Sequence, residues 1–182
     1  KAQCPNAVVV YDLFHVVAKY GREVMDRVRV DQANQLRDDK VARKVIKSSR
    51  WILLRNADNL EPEQAVKLDE LLAANAFLTT VYVLKDQLKT LWFAESETTA
   101  RSAWREWAGM ALGSGIDALV RFAKKLEPYM EGIVSSALHR LNTSVLEGMN
   151  NRIKVIKRMA YGYRDTDYFF LKIRAAFPGK VR

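Results

Sequence analysis

The sequence predicts an α/β fold that is mostly helical, and three stretches lead to that expectation. Ala7 to Tyr11, AVVVY, is a short apolar run rich in β-branched residues that stops at a charge, the pattern of a strand buried on both faces. From Asn59 to Arg140 the apolar positions recur at helical spacing, punctuated by cap residues and prolines. Leu141 to Arg164, LNTSVLEGMNNRIKVIKRMAYGYR, is a further amphipathic helix. The chain thus divides into 1–58, with the strand, 59–140, all helical, and 141–182, a C-terminal helical part.

The elements follow in order. Asp12 ends the apolar run at the position where open α/β sheets place their ligands, and it also suits the N-cap of the next helix. That helix runs from about Phe14 to Leu36, with Val17, Tyr20, Val24 and Val28 facing inward. Asp38 to Lys47 is charged and helical in flavour. Trp51 to Leu54, WILL, reads as a second short strand, with a helix start as the alternative, because periodicity cannot decide at that length. Glu61 and Pro62 open a helical pattern that continues to about Phe93. Ser96 caps a helix that carries Trp104 and Trp107 and ends near Gly113, and two more helices, split by Pro128, finish near Arg140. Asp165 caps the last helix, which runs through Phe177 to the stop at Pro178 and Gly179.

Composition narrows the class. The 182 residues, 49% hydrophobic and 28% charged, make a globular chain large enough for one domain with a sizeable insertion. A net charge of +9 calls for polyanionic partners. Nine Lys or Arg against three acids follow Thr143, so six of those nine net charges sit in the last forty residues. Cys4 is the lone cysteine, which excludes an internal disulfide, gives no zinc site and fits a reducing cytoplasm. No secretory signal pattern and no uncharged run of spanning length points to a membrane. The opening KAQCPNA lacks an initiating Met and reads as part of something longer.

The Leu141–Arg164 helix reads either as an ordinary amphipathic helix with a solvated basic face or as the carrier of a functional site. It opens with Asn142, Thr143 and Ser144 as turn and cap residues and closes at Gly162. At roughly 100° per residue, Glu147, Asn151, Lys154, Arg158 and Tyr161 fall along one line, with Val145, Leu146, Met149, Ile153, Ile156 and Met159 opposite. One carboxylate therefore heads a file of amide and cationic groups. The helix dipole favours the anion there, and the cations suit phosphates. By the same reasoning Lys154, Lys157 and Arg158 are the expected phosphate contacts, joined by Arg164, while Asn150 and Asn151 either touch phosphates or orient Glu147. Trp104 and Trp107, three apart, either stack on an unpaired base or pack in the core. Tyr161 and Tyr163 either line the path of the nucleic acid or pack beneath it.

EGMNNRIKVIKRMAYGYR, followed by Tyr168, Phe169 and Phe170 in DTDYFFLKIR, resembles the C-terminal signature of bacterial insertion-sequence transposases of the ISL family. Asp12 in VVVYDLFHVV resembles the same family's D-x-F-H context. The likeness is strong from Asn142 to Phe177, good around Asp12 and diffuse through the helical middle; Asn142-Thr143-Ser144 is a departure that touches the cap and leaves the acid in place. It implies a DDE enzyme on an RNase H-like domain, here a partial one with a large helical insertion. Asp12 would be the second catalytic acid and Glu147 the third, and His15 would stand near the site. The first aspartate lies upstream in the family, and no residue before Asp12 is acidic, so these 182 residues alone are expected to be inactive. The implied cofactor is Mg²⁺ or Mn²⁺, two ions about 3.5–4 Å apart that activate the attacking oxygen and stabilise the leaving one. The implied partner is DNA, transposon ends and target alike, in a bacterial cytoplasm at the nucleoid. Acting on two ends implies a homodimer or higher assembly. The rival readings are a non-catalytic DNA-binding or assembly module from a degraded transposase, and a nuclease on the same RNase H-like fold.

Overall fold

Among the described residues, nine α-helices make up the first unit, around a main apolar core and a smaller cluster of Ala94, Ala100, Val134 and Ala137, and two more make up the C-terminal unit. The structure, a computed structural model, describes residues 7–139 and 144–178, with the backbone alone for 144–146. The two units are residues 1–140 and 141–182. Asn142 and Thr143, expected as turn and cap residues, lie outside the described residues, as do Cys4 and the side chains of Val145 and Leu146.

In the first unit, α1 (Leu13–Tyr20), a π-helical turn (Gly21–Met25) and α2 (Asp26–Gln35) form one continuous rod, close to the expected helix. Asp39 caps α3 (Lys40–Ser48) by accepting hydrogen bonds from the Val41 and Ala42 amides, and α4 (Arg50–Leu54) follows at once. A capping box of Glu61 and Gln64, with Pro62 in the first turn, starts α5 (Pro62–Ala74). Asn75 ends that helix and caps α6 (Ala76–Thr90), so the run expected from Asn59 to Phe93 is two helices; the Asn75 amide also donates to Gln32 Oε1 at 2.9 Å. Ser96 caps α7 (Glu97–Gly113) as expected, and α8 (Asp117–Leu126) and α9 (Met130–Leu138) flank a 3₁₀ turn at Glu127–Tyr129.

Two strand expectations fail. Residues 7–10 form no strand, and Val8 and Val9 are exposed instead of buried on both faces. A strand's hydrogen bonds run to a neighbouring strand, and none is present among the described residues. Trp51 to Leu54 lies in α4, where helical spacing sends Leu53 into the core and leaves Trp51 outside. Four apolar residues serve either element equally well, and contact with α5 and the π-helical turn selects the helix.

The core gathers Tyr20, Val24, Leu53, Leu88, Trp107 and Phe122. Two of its buried polar atoms are satisfied from distant helices: Tyr20 donates to the Val81 carbonyl at 2.8 Å and Trp107 Nε1 to the Leu84 carbonyl at 2.9 Å, whereas the Tyr82 hydroxyl has no hydrogen-bond partner among the described residues. Lys85 is 1% exposed, yet its Nζ donates to the Leu53 and Arg55 carbonyls at 2.9 and 3.1 Å and lies 4.0 Å from the Tyr82 ring centroid. A lysine from α6 thus terminates α4 by satisfying carbonyls at its open end.

The second unit holds α10 (Ser144–Met159) and α11 (Thr166–Ala176), the latter capped by Asp165 as expected. Tyr163 packs on Phe169 with ring centroids 4.8 Å apart, and the Arg152 guanidinium lies 5.3 Å from the Phe177 ring. No described side chain of this unit is fully buried.

Burial pulls the Lys85 ammonium down from 10.5 to about 8, against the opposing pull of Asp86. The unfolded chain keeps that proton up to its ordinary value, so between pH 8 and 10 the unfolded state binds more protons and stability from this group rises with pH. Above pH 10 buried Tyr20, whose hydroxyl is held well above its ordinary value by burial, contributes in the opposite direction. Urea midpoints measured from pH 8 to 10 are expected to climb in the native chain and to stay flatter in Lys85→Met.

Candidate catalytic acids and nucleic-acid interface

Asp12 sits at the junction of the extended N-terminal arm and α1. Its backbone is extended, and its Oδ1 accepts from the Phe14 amide at 2.9 Å, so the capping role read from the sequence is real. The other oxygen lies 3.9 Å from His15 Nε2, one helical turn on, with the imidazole largely in solvent. The capping bond occupies one carboxylate oxygen and points the side chain along the start of the helix.

The residue before it is held on both polar atoms. Tyr11 donates its N–H to Ser136 Oγ at 2.7 Å, and its carbonyl accepts from Ser136 Oγ at 2.8 Å and from Trp92 Nε1 at 2.9 Å. The Ser136 hydroxyl also lies 2.7 Å from the Gly132 carbonyl, so its single proton is shared between that carbonyl and the Tyr11 carbonyl. The Tyr11 ring stacks edge-on against Tyr129 and crosses α9 where Gly132 lacks a side chain; a Cβ there would overlap the ring. Trp92 and Ser136 are functional candidates that sequence reasoning missed, because they lie 81 and 125 residues from Tyr11 and carry no local signal. A hollow of about 320 Å³ opens beside this junction, with Asp12, His15, Lys19 and Lys125 around apolar walls from Phe122 and Ile133.

On α10, Glu147, Asn150, Asn151, Lys154, Lys157 and Arg158 are all exposed, and so is Arg164 beyond the helix. Ile153 and Ile156 on the opposite side are partly covered, whereas Met149 and Met159, expected on that side too, are exposed. Among the described residues, no acid pairs with Lys154, Lys157 or Arg158. They line an open hollow of about 770 Å³ together with Met159, Tyr161 and Gly162.

The end of α10 departs from expectation. Gly162 donates its N–H to the Lys157 carbonyl and Tyr161 donates to the Arg158 carbonyl, both at 3.0 Å, which is the two-bond closure of a helix C-terminus. In that closure the left-handed position belongs to Tyr161, with φ 52°, and Gly162 follows at φ 103°. A non-glycine residue there costs about 1–2 kcal/mol. The Tyr161 side chain is fully exposed, whereas Tyr163 packs on Phe169, so of the two tyrosines only Tyr163 is packed. Trp104 and Trp107 are buried at 6% and 1% exposure, which makes them core residues and removes the base-stacking alternative.

Asp12 and Glu147 are hard oxygen donors of the kind that Mg²⁺ takes, but they belong to different units. Among the described residues no group of three or more His, Cys, Asp or Glu gathers at one place. Two single carboxylates supply donor chemistry without a complete ligand set.

The class follows from comparison. The chain belongs to a family of transposases, the ISL3 family, whose model matches residues 1–173. It is 65% identical to the transposase for insertion sequence element IS1001 of Bordetella parapertussis over 182 residues, all of this chain and 45% of that protein. It is 25% identical to the transposase for insertion sequence element IS1557 of Mycobacterium tuberculosis over 183 residues, 89% of this chain and 41% of that protein. The chain therefore spans less than half the length of these curated relatives. No solved structure matches it. No helix among the described residues is long and apolar enough to cross a membrane.

The hold on Tyr11 yields a test. Ser136→Ala leaves a part-buried N–H without its acceptor and is expected to lower the unfolding free energy by about 1–3 kcal/mol in urea titrations. Amide exchange at Tyr11 should accelerate in the same variant while exchange in the middle of α7 stays unchanged.

Proposed function

We propose that this chain is a fragment of a DDE transposase catalytic domain, which in the full-length protein cuts DNA at the ends of an insertion sequence and joins them to a target. The observation that carries the proposal is the exposed line on α10, one carboxylate at Glu147 followed by Asn151, Lys154 and Arg158, with no acid paired to the cations among the described residues. Family membership and the transposase relatives support the reaction class. In this reading residues 1–58 carry the second acid, 59–140 form a helical insertion, and 141–182 bring the third acid on a partial RNase H-like fold.

Each residue then has a task. Asp12 and Glu147 hold divalent ions, Mg²⁺ or Mn²⁺, and when two are bound such ions supply an activated attacking oxygen and charge relief for the leaving one. Lys154, Lys157, Arg158 and Arg164 neutralise backbone phosphates, and Asn150 and Asn151 hydrogen-bond to phosphate oxygens or orient Glu147. His15, beside Asp12, supports the acid from outside the ligand set. Work on two DNA ends calls for a homodimer or higher assembly on bacterial nucleoid DNA.

A second reading is a DNA-binding or assembly module without the chemistry. The basic face of α10 favours it equally, because phosphate binding needs no meeting of the two acids. The full-length transposase separates the two. Asp12→Asn and Glu147→Gln are each expected to reduce end cleavage to background and to leave DNA affinity within about 2-fold, a change small on the scale of a tenfold step per 1.4 kcal/mol. Undiminished cleavage in both variants would leave only the module, and cleavage without joining would point to a nuclease on the same fold. Lys154→Ala or Arg158→Ala should weaken binding on every sequence and lower the slope of log K against log salt by about 1. An unchanged slope removes that residue from the interface.

A further inference from the structure

Tyr161 is unexplained by the helix end it occupies. Closing α10 needs only two backbone N–H groups and a left-handed residue, and glycine satisfies that position with less strain than any L side chain. The Tyr161 side chain repays nothing by packing, since it is fully exposed. Backbone strain that no packing accounts for points to a use outside the fold. The ring stands on the rim of the hollow lined by Lys154, Lys157 and Arg158, and those cations lack acidic partners among the described residues.

From this placement we infer that Tyr161 is a stacking platform for an unpaired nucleotide of the DNA, with Lys154, Lys157 and Arg158 holding the flanking phosphates. The inference rests on the DNA-binding reading of α10 and adds a substrate class to it: DNA with an unpaired base, favoured over a continuous duplex. A rigid aromatic face gives stacking without sequence preference, because every base has a π-face. The neighbouring cations supply the sequence-independent attraction that brings the strand there. The closing turn fixes the Tyr161 backbone with two hydrogen bonds, so little freedom is lost when a base lands on the ring. Paired bases are covered by their neighbours in the stack and gain nothing from it.

The test uses the whole 182-residue chain and two fluorescent duplexes, one with a single unpaired 2-aminopurine and one fully paired. The native chain is expected to prefer the unpaired probe by of order 10-fold and to change its fluorescence on binding. Tyr161→Gly relieves the left-handed strain, so it keeps the fold with an equal or higher Tm, and it should lose both the preference and the fluorescence change. Tyr161→Phe should keep them. Equal affinity of the native chain for the two probes, or an undiminished preference in Tyr161→Gly, overturns the inference. Failure of the DNA-binding reading looks different: Lys154→Ala and Arg158→Ala would then leave the salt slope of duplex binding unchanged, whatever happens at Tyr161.

Discussion

Asp12 stands where it does because the backbone of Tyr11 is gripped from the helical block. A strand-like arm without a neighbouring strand has unpaired N–H and C=O groups, and burying those unmatched would cost more than the arm's few apolar contacts return. Ser136 and Trp92 resolve this by standing in for the missing ladder at one residue, with the serine serving as both acceptor and donor. Gly132 lets the Tyr11 ring lie directly on α9, and Tyr129 covers its edge. The N-cap bond from Asp12 to Phe14 then passes that fixed position on to α1. The helical middle of the chain, which the sequence presents as an insertion beside the chemistry, is thus what sets the location of one candidate acid.

The same logic runs through the core. Lys85 reaches out of α6 to close α4, Asn75 joins the α5–α6 corner to α2 through Gln32, and Trp107 of α7 donates to a carbonyl of α6. Each is a polar group from one helix satisfying the backbone or side chain of another. Apolar burial is non-directional, whereas these bonds accept one geometry, so they choose among the many ways that amphipathic helices can pack. Arg101 of α7 does this at the surface, meeting Glu131 of α9 with two contacts of 2.8 and 2.6 Å.

What was legible in the sequence was mostly local. Asp12, Ser96 and Asp165 announce helix starts because a short polar side chain reaches an amide two or three residues on, and that chemistry needs no distant partner. The polar line of α10 was legible for a similar reason, since helical pitch alone aligns Glu147, Asn151, Lys154 and Arg158. The strand at Ala7 to Tyr11 was misread because strand formation depends on a neighbour, and β-branched composition records only a preference for extended backbone. The extended conformation at Asp12 survives, but as an arm on helices. WILL went to helix for want of length, and the hold by Trp92 and Ser136 was invisible because its parts meet only after folding.

The two candidate acids differ in how they are made available. Asp12 is constrained: one oxygen is used by its own helix, and the residue before it is fixed by three hydrogen bonds. Glu147 stands exposed in the first turn of α10, where the positive end of the helix favours its charge and where no described contact restrains the side chain. A carboxylate in the first turn and cations in the last each match the dipole at their own end. Helical pitch therefore lets one surface carry an acid and, two to three turns away, a basic patch. Uniformly basic helices bind DNA without discriminating where along it they lie. A helix with one acid at its positive end presents a local break in that attraction, and in the proposed reading a divalent cation would convert the break into a contact with phosphate.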